Sequence, residues 1–217
     1  MFLDADKTPT LVGSDTAPSL PSEPWRDFPH SQLSDHGAEC CAVARHWICA
    51  MDFAQLNGGD LHSGPRWMRH RYKWGPTKWP IHWCDAVQET TLDCGAHAAL
   101  AHAAFAARGV TSFPAQFVQQ YSAASTEEWR SKWVGDEASD HWIGEDMIYH
   151  EGVAVLAGSE RIRFWDSSAG WWIDPGQNGG YGSLIAVRIW ADADAVPAGS
   201  RWGEYDIRPG HWLQIGG

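Results

Sequence analysis

The sequence predicts an α+β fold in which N-terminal helices precede a C-terminal antiparallel β-sheet. Before residue 135 the apolar residues recur mainly at helical spacing, and from about residue 148 they alternate with a period of two. Helices followed by strands in this order are typical of α+β proteins. With 217 residues, the chain is long enough to bury a core of its own.

The N-terminal region is expected to contain an arm and one helix. Residues 1–35 are rich in Pro, Ser, Asp and Thr, a composition that predicts an extended or disordered arm. Residues 36–217 then form a single domain. Within it, residues 37–56 have apolar positions at helical spacing and no proline, which predicts a helix. Residues 66–87 hold four tryptophans and are expected to form a loop with short elements.

A central helix is predicted both by its composition and by its ends. Asp93 is of a residue type that caps helices, an alanine-rich run follows it, and Gly109 closes the run. Residues 113–134 predict further, mixed helix. Three strands follow, with the sequences IYHEGVAVLAG (148–158), RIRFWDSSAGWWIDP (161–175) and GSLIAVRIW (182–190).

Charge and cysteine usage exclude several classes of partner. The formal net charge of −11 repels phosphate backbones, so we expect no nucleic-acid partner. No apolar run has transmembrane length and the N-terminus lacks the features of a signal peptide, so we expect no membrane association and a cytoplasmic location. The five cysteines form no recognisable disulfide framework and are expected to be reduced thiols.

Cys94, at the start of the central helix, is a candidate nucleophile. The N–H groups and the dipole at a helix N-terminus stabilise a thiolate, which predicts a lowered pKa for the Cys94 thiol. By position alone, a packed core cysteine is the more common case. A catalytic cysteine also needs a base, and the base needs a group that orients it, so the rest of the chain decides between the two interpretations.

His150 and Asp166 are the candidates for the base and its orienting group. His150 opens the first strand and Asp166 ends the second. In a hairpin centred on Gly158 the two lie directly opposite each other, about 5 Å apart at Cβ, so that imidazole and carboxylate can meet. A turn half a step later would put Ser167 opposite His150 and turn Asp166 to the other face of the sheet. We favour the first register.

Further polar and aromatic residues are candidates for supporting roles. Gln88, six residues before Cys94, can donate its amide to a developing oxyanion beside the Cys94 backbone N–H. His97 shares a helix face with Cys94 and is a rival base, although the sequence offers it no obvious orienting carboxylate. Three tryptophans are candidates for the walls of a substrate cleft: Trp83, Trp171 and Trp172.

A cluster of potential metal ligands near the N-terminus is better explained by packing. Its members are Cys40, Cys41, His46 and Cys49. Adjacent cysteines within a helix do not match the spacing of zinc motifs, so we expect no metal. No ATP-binding motif is present, and we expect no cofactor.

The stretch QETTLDCGAHAALA resembles the papain-like cysteine peptidase superfamily, and within it the bacterial double-glycine leader peptidases. Those enzymes carry Gln, then Asp-Cys-Gly, then a helix of small residues, and later a strand that begins with His before a strand that ends in Asp. HEGVAVLAGSERIRFWDSSAG matches the later part. The resemblance implies a fold with the Cys-bearing helix packed on the sheet, Cys94 as nucleophile, His150 as base, Asp166 as orienting group and Gln88 as oxyanion donor.

The stretch CGAHAALAHAAFAARGVTSFPAQFVQQY is also similar to the transglutaminase-like core. That core follows its Cys helix with Arg-x-Gly-Ile-Pro-Ala-Arg, but this chain has three extra residues, Thr111-Ser112-Phe113, between the two halves. Gln120 stands where that family usually has glycine. The transglutaminase-like resemblance implies a Trp at the oxyanion, for which the candidates are Trp74, Trp79 and Trp83.

Both resemblances imply acyl-enzyme chemistry. The first hypothesis is a cysteine peptidase or amidase acting on a peptide or another acyl or amide substrate. The second is an acyltransferase that forms amides in a biosynthetic pathway. A non-catalytic binding module on the same fold is the third hypothesis, and a protein partner stays open for all of them.

Overall fold

The structure is a computed structural model that describes residues 65–75, 77, 81–120, 122–132, 147–173, 184–192 and 194–215. The expected arm over 1–35, the expected helix over 37–56 and the N-terminal cysteines lie outside these residues. The single-domain boundary at residue 36 therefore stays a prediction.

Four helices are described, and the central one is the longest, with 14 residues. They are α1 (Met68–Arg71), α2 (Trp83–Ala86), α3 (Cys94–Ala107) and α4 (Ala123–Lys132). The Asp93 side chain caps α3 by accepting a hydrogen bond from the Ala96 N–H at 2.8 Å. Gly109, two residues after the end of α3, has a φ of 70° that suits glycine. The predicted central helix is confirmed at both ends.

Ten strands are described, and six of them form one antiparallel sheet. The strands are β1 (Lys73–Trp74), β2 (Thr91–Leu92), β3 (Ser112–Gln120), β4 (Met147–Leu156), β5 (Ile162–Asp166), β6 (Trp171–Ile173), β7 (Leu184–Ile189), β8 (Arg201–Trp202), β9 (Tyr205–Asp206) and β10 (Leu213–Gln214). The sheet has the order β10-β7-β3-β4-β5-β6. The general α+β class is therefore confirmed, and β3 and β4 lie at the centre.

The first face of the sheet is covered by α3. The residues of α3 from Cys94 to Ala101 are all buried, because the helix packs on neighbours on every side. Its alanines allow a close approach to Val153, Val155 and Trp165 on the sheet. We call this the helix face, and odd-numbered residues of β4 point to it.

The second face is covered by the C-terminal segment that contains β8 and β9. Phe117 and Phe164 of the sheet pack with Trp202 in a cluster of aromatic and aliphatic side chains. The ring centroids of Phe164 and Trp202 lie 5.2 Å apart, edge to face, and Trp202 Nε1 donates to the Ile173 carbonyl at 2.9 Å. We call this the aromatic face, and even-numbered residues of β4 point to it.

Two expected elements are wrong. The expected mixed helix over 113–134 is strand β3 followed by helix α4, because Gln116 and Gln119 are buried in the sheet rather than exposed on a helix. The expected single strand over 161–175 is two strands, β5 and β6. A turn separates them because Asp166 Oδ1 accepts hydrogen bonds from the Ser168 and Ala169 N–H groups at 2.8 and 3.0 Å.

Candidate active site

Cys94 is a buried free thiol at the first residue of α3. Its residue exposure is 1%, and it is the free cysteine among the described residues. The backbone N–H of Glu151 in β4 donates a hydrogen bond to its sulfur. The thiol therefore contacts the strand one residue beyond His150, as packing of the helix N-terminus on the sheet requires.

The pKa of Cys94 is raised well above its ordinary value, and the expectation of a lowered pKa is wrong. The causes, from the largest, are burial and the negative charges of Glu151 and Asp93, with a smaller contribution from Asp166. The hydrogen bond from the Glu151 N–H lowers the pKa but does not outweigh them. The resting form of Cys94 is therefore the neutral thiol.

His150 and Asp166 are in contact. His150 Nε2 lies 3.0 Å from Asp166 Oδ2, and the two side chains are 10% and 1% exposed. The expected direct opposition is wrong, because β4 and β5 pair Val153 with Trp165 and Leu156 with Ile162. This register lies two residues from the expected one. A shift of two keeps both side chains on the same face, and they meet across a diagonal.

Asp166 is fixed at the end of β5 by the turn that follows it. The two backbone amides that donate to its Oδ1 leave Oδ2 directed at His150. The His150 ring lies against Phe117, with centroids 6.2 Å apart, so the His150–Asp166 pair belongs to the aromatic face. Glu151, which contacts Cys94, points instead to the helix face.

The edge of β4 joins the two sides of this site. The pairing of β4 with β5 extends from Val153 to Leu156, and His150 and Glu151 precede it. The Cys94 thiol meets this part of β4 from the side of α3, at the Glu151 N–H. The His150 imidazole leaves the same part of the strand on the aromatic face, beside Phe117.

His97 is a second imidazole, close enough to His150 and Asp166 for their charges to act on it. Its Nδ1 lies 2.9 Å from the Asp93 carbonyl oxygen, which can only accept, so Nδ1 carries the proton and Nε2 carries the lone pair. Burial is the largest cause that lowers the pKa of His97 to about 4, and the positive form of His150 also lowers it, whereas Asp166 raises it. The rival base is therefore a neutral, fully buried side chain.

Gln88 lies in the turn after α2 and is exposed. Its Nε2 donates to the Cys84 carbonyl at 2.7 Å, so the amide faces its own helix. A contact with an oxyanion beside Cys94 requires this side chain to rotate away from Cys84. Cys84 itself is disulfide-bonded, which corrects the expectation that every thiol is reduced.

The three candidate tryptophans differ in their surroundings. Trp172 packs against Phe105 and Trp165, with ring centroids 6.1 and 5.0 Å away, and therefore serves the core of the helix face. Trp171 is the register partner of Asp166 and is half-buried beside it. Trp83 begins α2, and its side chain lies outside the described part of the structure.

A buried hydrogen-bond chain next to Cys94 was missed by the sequence reasoning. Arg188 Nε donates to Gln116 Oε1 at 2.7 Å, and Gln116 Nε2 donates to the Tyr149 hydroxyl at 2.8 Å. Tyr149 then donates to Glu151 Oε1. The available signal was Tyr149-His150-Glu151, in which polar side chains flank the candidate base on the strand face opposite to it.

Comparisons with known proteins supply no relative for this chain. No protein-family model, no curated protein and no solved structure matches it. No helix among the described residues is long and apolar enough to cross a membrane. Within the same residues, no group of three or more His, Cys, Asp or Glu side chains is arranged to hold a metal ion.

Proposed function

We propose that this protein is a cysteine-nucleophile peptidase or amidase with a papain-like catalytic domain. The proposal rests on one observation: a free cysteine at a helix N-terminus contacts the residue that follows a paired histidine. His150 Nε2 lies 3.0 Å from Asp166 Oδ2, and the Cys94 sulfur accepts from the Glu151 N–H. A nucleophile, a base and an orienting carboxylate on rigid elements are what acyl transfer requires.

The reaction begins from a neutral thiol. His150 accepts the Cys94 proton as the sulfur attacks the substrate carbonyl, so the S–C bond and the imidazolium form together. Asp166 stabilises that imidazolium through the contact of its Oδ2 with His150 Nε2, so Nδ1 is the nitrogen that takes the proton in the proposed step. The Cys94 amide, in the first turn of α3 where N–H groups lack intrahelical acceptors, is the proposed donor to the developing oxyanion.

Collapse of the intermediate breaks the C–N bond. The leaving amine takes the proton from His150, and a thioester to Cys94 remains. A second nucleophile then loses its proton to His150 and attacks the thioester carbonyl. The sulfur leaves and regains its proton from His150, which restores the resting thiol. Water as the second nucleophile gives hydrolysis.

Amide formation is the second candidate function, and the burial of the thiol away from water favours it. Cys94 is 1% exposed and lies between α3 and the sheet. Exclusion of water from a thioester protects it from hydrolysis until an amine arrives. The transglutaminase-like resemblance of the α3 segment agrees with this outcome.

Trapping the acyl-enzyme tests the proposal without knowledge of the substrate. We expect p-nitrophenyl acetate to release a burst of p-nitrophenolate and to leave one acetyl group on Cys94, located by peptide mass spectrometry. Addition of a primary amine should speed turnover and yield the acetylated amine if transfer dominates. Hydrolysis alone would leave the rate insensitive to the amine.

Matched variants separate catalysis from simple thiol reactivity. Cys94→Ala should abolish the burst, and His150→Ala should slow acylation by about 10²-fold or more, the usual contribution of a positioned base. His211→Ala, which removes an exposed histidine, should change nothing. Equal rates for His150→Ala and His211→Ala, in protein that remains folded, would reject His150 as the base.

A further inference from the structure

Glu151 is a carboxylate that the proposed reaction does not use, yet it is the charged side chain that acts most strongly on the nucleophile. It is completely buried in the helix face. Its own backbone N–H contacts the Cys94 sulfur, and its charge is the largest electrostatic cause acting against the thiolate. A buried carboxylate in this position is costly unless other groups compensate it, so its surroundings require explanation.

The surroundings of Glu151 consist of a directed hydrogen-bond chain. The Arg188 guanidinium donates to Gln116, Gln116 donates to Tyr149, and Tyr149 donates to Glu151. Every donor points toward Glu151, so each bond polarises the next one toward a negative carboxylate. All four residues are at most 8% exposed.

The chain is anchored on three neighbouring strands. Gln116 in β3 is the register partner of both Glu151 in β4 and Arg188 in β7, so the three side chains form one row across the helix face. The Arg188 guanidinium also lies 4.8 Å from the ring centroids of Trp190 and Trp212. These contacts fix the row in place, and Tyr149 and Glu151 flank His150 on both sides.

We propose that Glu151 is a positioning residue that holds Cys94 in its thiol form and fixes the β4 segment bearing His150, with Arg188, Gln116 and Tyr149 holding Glu151 in place. This role rests on the proposed function, because it makes deprotonation of the thiol wait for His150 and a bound substrate. A resting thiol is also less open to oxidation than a thiolate, since reactivity follows the thiolate.

Other charged groups also face the thiol. They are Asp93 at the cap of α3, Asp166 at the end of β5 and the hydroxyl of Tyr149. His97 and His150 lie near Asp166, because His150 and Asp166 both act on the pKa of His97 and Asp166 contacts His150. Asp93 and Asp166 act in the same direction as Glu151 but more weakly. The contribution of Glu151 must therefore be measured against theirs.

The test is the pH profile of Cys94 alkylation by iodoacetamide, followed by mass spectrometry in the full chain. Wild-type protein should show a midpoint above that of an ordinary cysteine. Glu151→Gln removes the charge but keeps the shape and an acceptor for Tyr149, so the midpoint should fall. For each pH unit by which the midpoint falls, the alkylation rate at pH 7.5 should rise about tenfold, because the thiolate is the reactive form.

Two further variants distinguish charge from shape. Glu151→Asp retains the charge but shortens the side chain, and its midpoint should stay near the wild-type value. A merely structural role predicts the reverse order, with Glu151→Asp the more disturbed variant. Glu160→Gln removes an exposed carboxylate of the β4–β5 turn and should leave the midpoint unchanged. Asp166→Asn should lower it less than Glu151→Gln.

Two results would overturn the proposal. One is a wild-type midpoint at or below that of an ordinary cysteine, which needs no variant to fold. The other is identical midpoints for Glu151→Gln and Glu160→Gln in folded protein. Because alkylation requires no turnover, an absent acyl-enzyme would reject the proposed function while leaving these midpoints unaffected.

Discussion

The two faces of the central sheet are packed with side chains of different kinds. The helix face combines small alanines from α3 with a row of buried polar and charged side chains, including Gln116, Glu151 and Arg188. The aromatic face is covered by large rings. The ring centroids of Phe117 and Phe164 lie 5.5 Å apart, and Trp202 packs against Phe164. The nucleophile belongs to the first face and the His150–Asp166 pair to the second.

This difference indicates how one strand can serve both sides of a site. Successive residues of β4 alternate between faces, so Glu151 acts on the thiol from one side while His150 remains on the other. The aromatic packing holds the imidazole, and the polar row sets the electrostatic environment of the sulfur. The two requirements of the proposed reaction, a placed base and a controlled nucleophile, are thereby supplied by separate cores.

The largest expected effects come from removing one large side chain on each face. Trp165 and Phe164 are adjacent in β5, fully buried, and point to the helix face and the aromatic face respectively. Trp165→Ala and Phe164→Ala should each reduce the free energy of unfolding by about 3–5 kcal/mol, measured by urea denaturation, because each leaves a cavity.

The same pair of variants tests whether the faces act separately on the nucleophile. Trp165→Ala loosens the core against which α3 packs, so alkylation of Cys94 should become faster. Phe164→Ala should leave it close to wild type at temperatures where the protein is folded. Equal acceleration in both variants would show that the faces do not separate in this way.

The next effect concerns acid sensitivity, which we expect on the helix face. His97 has a pKa of about 4 in the folded protein against an ordinary value of 6.5. The unfolded chain therefore binds this proton at a higher pH than the folded chain. Stability is lost as the pH falls from about 6.5 toward 4, and the loss approaches about 3 kcal/mol at roughly 1.4 kcal/mol per pKa unit.

His97→Gln isolates this contribution because glutamine does not titrate in that range. The free energy of unfolding of the variant, measured by urea denaturation between pH 7 and pH 4.5, should depend less on pH than that of the wild type. His211→Gln at the surface is the matched control and should retain the wild-type dependence. A parallel pH dependence in all three proteins would contradict a neutral buried His97.

The sequence was sufficient for elements whose signals are local. Asp93, the alanine run and Gly109 predict α3, because capping, propensity and a left-handed terminus are all read within a few residues. Strand β3 was missed because its glutamines look like a helix surface. Only Tyr149 and Arg188, 33 and 72 residues from Gln116, make that polarity compatible with a buried strand.

The candidate site shows the same limit. His150 and Asp166 share a face of the sheet whenever the pairing of β4 with β5 is shifted by an even number of residues. The predicted pairing was wrong by two residues, so it still placed both side chains on the same face. The pKa of Cys94 was mispredicted because the helix terminus is visible in the sequence, whereas the burial of the thiol and the carboxylates of Glu151 and Asp166 come from other elements of the fold. Long-range electrostatics requires the packed structure.

Gly152 provides the smallest of the expected effects; it lies in β4, two residues after His150. A Cβ built there would lie 2.5 Å from Phe117 Cε2 and 2.5 Å from the Trp165 carbonyl oxygen. The Phe117 ring can shift, but the β5 backbone cannot without moving Asp166. Gly152→Ala should therefore cost about 1–3 kcal/mol of stability, as overpacking generally does. It should also slow acylation of Cys94 by disturbing the His150–Asp166 pair.

Gly109→Ala is the matched control, because it adds the same methyl group where no atom lies within 4 Å. Its cost is confined to the left-handed backbone at a φ of 70°, about 1–2 kcal/mol, and acylation should be unaffected. Both variants should therefore lower stability, but only Gly152→Ala should also change the geometry of the site. If Gly152→Ala slowed acylation no more than Gly109→Ala, close packing of Phe117 beneath β4 would have no part in holding the imidazole.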